Sequence, residues 1–472
     1  MDYIFYLTLF LIPWLALSPW QTVAGIPGGF IFVCLVAVCT LFTAVRANGL
    51  LTIDNLKKTP LMGALVLFLA ANVLSLLRIL VLEGTGGLWS NNLKEIGYLF
   101  FAVVFYWTMH HFIDNEEKLI AIIRLMIASS VLACLYGIGR LVLFMFHSPF
   151  GLAQPWTVPR LLAPAGESQV IGGFIIAFLP LVIAVLLYKA PSFNRGLIFV
   201  GVFILLLGLI MTFSAGAWAG FAGALLLLFA FVPFYDFRQL TAVFLTFVLV
   251  ISVVVLIDKT IYPGYLNGFG SVTQKFTGIT GASVSGYAKD SVNVTGSANV
   301  TDSGRGKASG VTDPGSPRFN PSAFSGVERS WFRAALVKMF RSSPVFGVGT
   351  GNFEKLYNKY RPAEAPAPPY TPKPHNQYLE ILAETGIVGL LSFLSIIGAL
   401  FSSVIQSWSG LSGKTRKLLL GLAASLAAVG IHGYSFGILV HIQVWLLAAL
   451  ISAVITVSGR KPSLRYWRED RL

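Results

Sequence analysis

The chain alternates long apolar runs with short polar breaks. A helix rises about 1.5 Å per residue, so about 20 apolar residues cross a bilayer core. Twelve runs approach that length. They fall near 4–19, 27–45, 60–82, 96–113, 119–145, 169–188, 195–213, 216–234, 240–257, 379–405, 417–433 and 437–457. The first run has no basic start and no small-residue cleavage site, so it reads as a retained helix. The pattern predicts an all-α integral membrane protein with about 12 transmembrane helices and one large outer loop between the ninth and tenth. The expected division is 1–257 for spans one to nine, 258–376 for the loop, 377–457 for the last three spans and 458–472 for a basic tail.

Within the loop the pattern changes twice. Residues 265–325 are rich in Gly, Ser, Thr, Asn and Val and show no helical period, which predicts a flexible tract or weak hairpins. Asn293 and Asn299 begin N-x-T sequons there, a short motif that a Thr-rich tract produces by chance. In the 326–376 half, Trp331, Ala335, Val337 and Phe340 fall roughly on one helix face. A break at Pro344–Gly347 follows, then a turn rich in glycine (Gly347, Gly349, Gly351) and a second helix from about Asn352. A Pro-rich extended stretch leads into Pro374-His375-Asn376-Gln377 at the start of the tenth span. Pro374 stops what precedes it and Asn376 is suited to cap the helix. His375 is therefore expected at a helix N-terminus at the outer surface, where free backbone N–H groups favour anions.

Composition narrows the class. Of 472 residues 56% are hydrophobic, 13% aromatic and only 11% charged, against about 25% charged in soluble domains. A soluble enzyme, a disordered chain and a nucleic-acid-binding domain are excluded. The three cysteines (Cys34, Cys39, Cys134) lie in apolar runs without metal-ligand spacing. The net charge of +14 matters through its distribution. Arg46, Lys57, Lys58, Lys118, Lys189, Arg195, Arg238, Lys414, Arg416, Lys417 and the five basic residues of the tail fall on one side; the short loops opposite hold Lys94 and Arg160. The first side is expected to be cytoplasmic, with both termini inside and the long loop outside. Chemistry on that loop would lie away from ATP and nucleotide sugars.

The run PHNQYLEILAETGIVGLL (374–391), preceded by ERSWFRAALVKMFRSSPVFGVGTGNF (328–353), resembles the signature of the O-antigen ligase and O-antigen polymerase family of membrane glycosyltransferases. The strong resemblance covers about 326–392; elsewhere it rests on architecture. It implies a glycosyltransferase-C-like fold in a bacterial inner membrane with a periplasmic active site. It also implies transfer of a glycan from undecaprenyl diphosphate to an acceptor hydroxyl, with inversion and with neither metal nor cofactor. The acceptor is lipid A core in ligases and another lipid-linked glycan in polymerases. Ligase is the slightly favoured reading, because twelve spans with one dominant outer loop is its usual layout. No nucleic-acid partner is expected, only these substrates and membrane lipids.

Such a reaction must stabilise a leaving diphosphate and deprotonate a hydroxyl. His375 is the candidate base. Arginine binds phosphate oxygens in a fork and keeps its charge. Arg329 matches the family's loop arginine, and Arg333 lies one turn further on the same face. Arg160 occupies the short outer loop before the sixth span, against the charge bias. Arg78 and Arg140, near the outer ends of the third and fifth spans, could extend a cationic pocket. Asn376, Glu380 and Glu384 belong to the motif: Glu380 could orient His375, and Glu384 with Gly386 and Gly389 suits packing. His432 and His441 flank the last outer turn. The family often shows Ser-Arg-Gly at the start of the eighth span; here the arginine position is Ala215.

Two other classes place different demands on the sequence. A transporter tends to carry paired ionisable groups at mid-bilayer and repeated halves, neither of which is evident. A scaffold or chain-length regulator would need no His375 with arginines on one side. Convergence of His375, Arg160 and Arg329 in space separates the enzyme from both.

Overall fold

The computed structural model describes residues 2–16, 22–23, 26–46, 59–83, 89–147, 159–162, 167–187, 193–230, 237–269, 321–368, 372–439 and 441–459. The sequons, most of the 265–325 tract, the tail beyond residue 459 and the loop residues Lys57, Lys58, Lys189 and Gly166 lie outside the described residues.

The described fold is helical apart from one two-residue antiparallel ladder, Thr22–Val23 with Ile26–Pro27. The helices are α1 (Asp2–Phe10), α2 (Gly28–Arg46), α3 (Met62–Glu83), α4 (Trp89–Phe112), α5 (Glu116–Met145), α6 (Ser168–Leu187), α7 (Arg195–Met211) and α8 (Ala215–Ala230). They continue with α9 (Phe237–Thr260), α10 (Pro321–Ser342), α11 (Phe353–Tyr360), α12 (Gln377–Trp408), α13 (Gly413–His432) and α14 (Ile442–Gly459); a π-helical turn, Ile12–Ala16, follows α1. A helix falls on each of the twelve apolar runs. Five segments are long and apolar enough to cross a membrane: Met62–Val81, Glu116–Met145, Ser168–Leu187, Thr241–Thr260 and Gln377–Trp408. Ile31–Val45, Arg195–Met211, Ala215–Ala230 and Ile442–Ser458 are shorter apolar helices.

Side-chain caps set several helix starts. Asn115, Asn194, Ser412 and Asn376 each accept from the backbone N–H three residues on, satisfying one donor that the helix leaves free. Helix α6 carries no charged residue and its buried residues run from end to end. It packs on α7, α8 and α13, and α13 also packs on α8. This group forms the centre of the bundle. Helix α12 lies on α3, and α10 packs on both α11 and α12. A second, small core of Phe332, Leu336, Met339, Phe353, Tyr357 and Ala383 holds α10 and α11 on the first turns of α12.

The 258–376 loop carries more structure at its ends than its composition predicts. Helix α10 starts at Pro321, five residues before the expected change at 326. Tyr265, at the start of the supposed flexible tract, is fully buried, with its ring 5.2 Å from that of Phe213. An aromatic cluster of Phe213, Trp218, Tyr265 and Phe269 supplies the apolar burial that a Gly/Ser tract lacks.

Candidate active site

The glycine-rich turn is built against a break in α12. Gly386 has φ 67° and ψ −165°, which interrupts the helical ladder. Buried backbone groups need partners, and the turn provides them. Ile387 N–H donates to Pro344 O (2.9 Å), while Val348 N–H and Gly349 N–H donate to Ala383 O (3.0 Å) and Glu384 O (2.9 Å). A side chain at Gly386 would overlap the Val345 carbonyl, and one at Gly347 (φ 70°) would overlap the Glu384 backbone. Glycine is required at both by close approach and by sign of φ.

Side chains complete the brace. The buried Glu384 carboxylate accepts from Gly351 N–H (2.7 Å) and Phe353 N–H (2.9 Å), at the start of α11. From α3, Ser75 Oγ donates to Phe346 O (2.9 Å) and Glu384 O (3.0 Å). Arg78 donates to Gly347 O at 2.6 Å, and Thr350 Oγ1 donates to Asn72 Oδ1 at 2.8 Å. Arg78 thus holds the turn, a contact that spacing along the sequence does not reveal.

The motif at the head of α12 docks on the loop after α13. His375 lies in the left-handed region with φ 51°, a conformation uncommon for a residue with a Cβ and concentrated at functional sites. Asn376 next to it caps α12, its Oδ1 accepting from Leu379 N–H at 3.0 Å. Gln377 N–H donates to Gly433 O (2.9 Å), and Gln377 Oε1 accepts from Ile438 and Leu439 N–H. Tyr378 Oη donates to Gly430 O at 2.6 Å. Glu380 accepts from Gln377 Nε2 at 3.2 Å, a partner different from the expected His375. The His375 ring stacks near Phe332 of α10, centroids 6.3 Å apart. Phe332 belongs to the same helix as Arg329 and Arg333, so the imidazole packs on the element that carries both arginines. Arg333 lies over the Tyr434 ring at 5.1 Å.

Arg329 and Arg160 form a cationic corner with Arg333. Burial first, then the positive charges of Arg333 and Arg160, pull the Arg329 pKa down to about 10; Glu328 opposes them. Arg329 remains a cation at neutral pH, held beside like charges. Arg160, 9% exposed, is also lowered by burial, with Tyr265 as its electrostatic neighbour. The next residue, Leu161, donates its N–H to Met211 O at 2.8 Å and fastens the loop to the end of α7. Burial pushes the Tyr265 hydroxyl up. Burial likewise raises Glu328, which Arg329 counters.

Arg160, Arg329 and Arg333 are therefore electrostatic neighbours, and His375 packs on the helix that carries two of them. Arg78 is engaged at the turn. Arg140 donates to Tyr136 of its own helix at 3.3 Å. His432, 1% exposed, has Nε2 3.2 Å from Gln169 O, and it packs against Gly216 at the start of α8. Ala215, in place of the family's arginine, is buried at the same helix start. Among the described residues no group of three or more His, Cys, Asp or Glu is arranged to hold a metal ion.

These features define a helical membrane protein with an arginine cluster on α10 and the short loop before α6, and a histidine at the head of α12 packed on α10. Residues 200–394 match the family model described as O-antigen ligase, which supports the resemblance carried by the motif. The match spans α7 to the Gly386 break, including the turn, α10 and the His375 motif. No curated protein matches the chain.

Proposed function

We propose that the protein is a lipid-linked-oligosaccharide glycosyltransferase of the periplasmic face of a bacterial inner membrane, with lipid A core as acceptor. It moves a glycan from undecaprenyl diphosphate to a sugar hydroxyl. His375 takes the hydroxyl proton. The hydroxyl oxygen forms a bond to the anomeric carbon, with inversion, as the bond from that carbon to the diphosphate oxygen breaks. Arg160 and Arg329 hold the diphosphate through the reaction, with Arg333 at the rim. The donor arrives activated, so the step draws on neither ATP nor a metal. The reading carries with it twelve spans, both termini inside and the 258–376 loop outside.

One observation supports it most. His375 is fixed in a left-handed conformation beside its capping neighbour Asn376, with its ring near Phe332, flanked in sequence by Arg329 and Arg333. Base and anion-binding groups thereby stand on adjoining elements, as general base catalysis with electrostatic stabilisation of a leaving group requires.

The test is reconstitution of the purified chain in nanodiscs with a polyprenyl-diphosphate-linked glycan and lipid A core. Glycan-extended lipid A core, detected by mass, is expected. Extension of the lipid-linked glycan alone would make the enzyme a polymerase, and no transfer to either acceptor would refute the glycosyltransferase. Topology has its own check: Lys373→Cys in a cysteine-free background should react with a membrane-impermeant maleimide from the periplasmic side.

A further inference from the structure

Two apolar cavities accompany the cationic corner. One, about 540 Å³, lies between α7, α8 and α9, with Ile210, Trp218, Phe247, Ile251, Leu266 and Phe269 in its wall. The other, about 680 Å³, runs between α12, α13 and α14 from Tyr378 and Ile438 down to Trp408. Both fall within the size range of ligand cavities. Neither wall contains a charged side chain, so what separates them is what stands at the outer end.

At the second cavity the polar groups are already engaged. Tyr378 Oη is bonded to Gly430 O, and the Ile438 and Leu439 N–H groups are bonded to Gln377. At the first cavity the outer wall, Leu266 and Phe269, continues directly from Tyr265, the electrostatic neighbour of Arg160. Arg160 in turn acts on Arg329. The inner wall is α7, whose last carbonyl fastens Leu161 beside Arg160. Tyr265 is fully buried and its hydroxyl has no hydrogen-bond partner among the described residues. A buried O–H without a partner is costly, and an anion between it and the arginines would remove that cost. The arrangement fits an amphiphile with a strongly anionic head and a long apolar tail.

Resting on the function proposed above, we infer that the cavity between α7, α8 and α9 takes the first isoprene units of the donor, while the Tyr265 hydroxyl donates to the diphosphate held by Arg160 and Arg329. Tyr265 acts here as a binding residue for the leaving group, and the aromatic wall of Trp218, Phe247 and Phe269 packs on the prenyl chain.

The experiment uses the full chain in nanodiscs and a glycan-bearing polyprenyl diphosphate with a diazirine on its second isoprene unit. Crosslinks are expected in α7, α9 and 265–269. Ile251→Trp, at a wall position that is also exposed, narrows the cavity and should raise KM about tenfold for the long-chain donor and for a two-isoprene donor, whose tail lies wholly within it. Tyr265→Phe should raise KM for both donors severalfold. Crosslinks concentrated in α12–α14, with Ile251→Trp silent, would overturn this inference and leave the transferase standing. Labelling identical to that of a phosphate-free polyprenol would overturn both. Ile251→Trp without crosslinks in α7 or α9 would also count against the cavity.

Discussion

The two polar regions around the head of α12 use their groups in opposite ways. Around the glycine-rich turn, polar groups are spent on the protein itself. Glu384 holds two N–H groups, Ser75 bridges two carbonyls and Arg78 takes a third. At the corner of Arg160, Arg329 and Arg333, like charges are gathered, and the buried Tyr265 hydroxyl stands in the field of Arg160. The first arrangement lowers the energy of the empty protein. The second places like charges side by side, and in the proposed function a bound diphosphate offsets them.

Substitution should separate the two regions by readout. Arg329→Gln removes a cation from a repulsive cluster. Transfer should fall by about 10²-fold, the scale for losing one stabilising donor, while Tm stays level or rises; a marked loss of Tm would reassign Arg329 to structure. Arg160→Ala should show the same sign. Glu384→Gln leaves one of two buried N–H groups without its acceptor and should cost about 2–3 kcal/mol. That loss would be read as a lower Tm, with activity per folded molecule changed less. Arg78→Met should cost about 1–2 kcal/mol through the Gly347 carbonyl without altering donor KM; a donor-specific KM effect would move Arg78 into the substrate site. Asn376→Ala should cost about 1 kcal/mol, the usual value of an N-cap. Chelation of divalent ions should change nothing in the transfer assay.

Much of this was legible along the chain, because the bilayer imposes a strong pattern. Helices fall on the apolar runs, and the Asn376 cap and the Pro344 break follow from local backbone chemistry. What stayed hidden depends on contacts distant in sequence. Arg78 finds Gly347 269 positions away. Tyr265 sits at the edge of a tract whose composition suggests no packing. Gln377 and Tyr378 lay inside the motif but drew no role, because their partners, Gly430, Gly433 and Ile438, lie in the loop after α13 or at its edge. Burial of His432 could be suspected only from its place at the end of an apolar run.

The central claim is that one imidazole acts as base where a few arginines hold the lipid diphosphate. It is tested most directly by measuring donor binding and single-turnover transfer on the same His375→Ala protein. Donor affinity within twofold of the parent, unchanged Tm and a transfer rate down by about 10³-fold, within the range for a lost general base, is the predicted result. Transfer near the parental rate would contradict it.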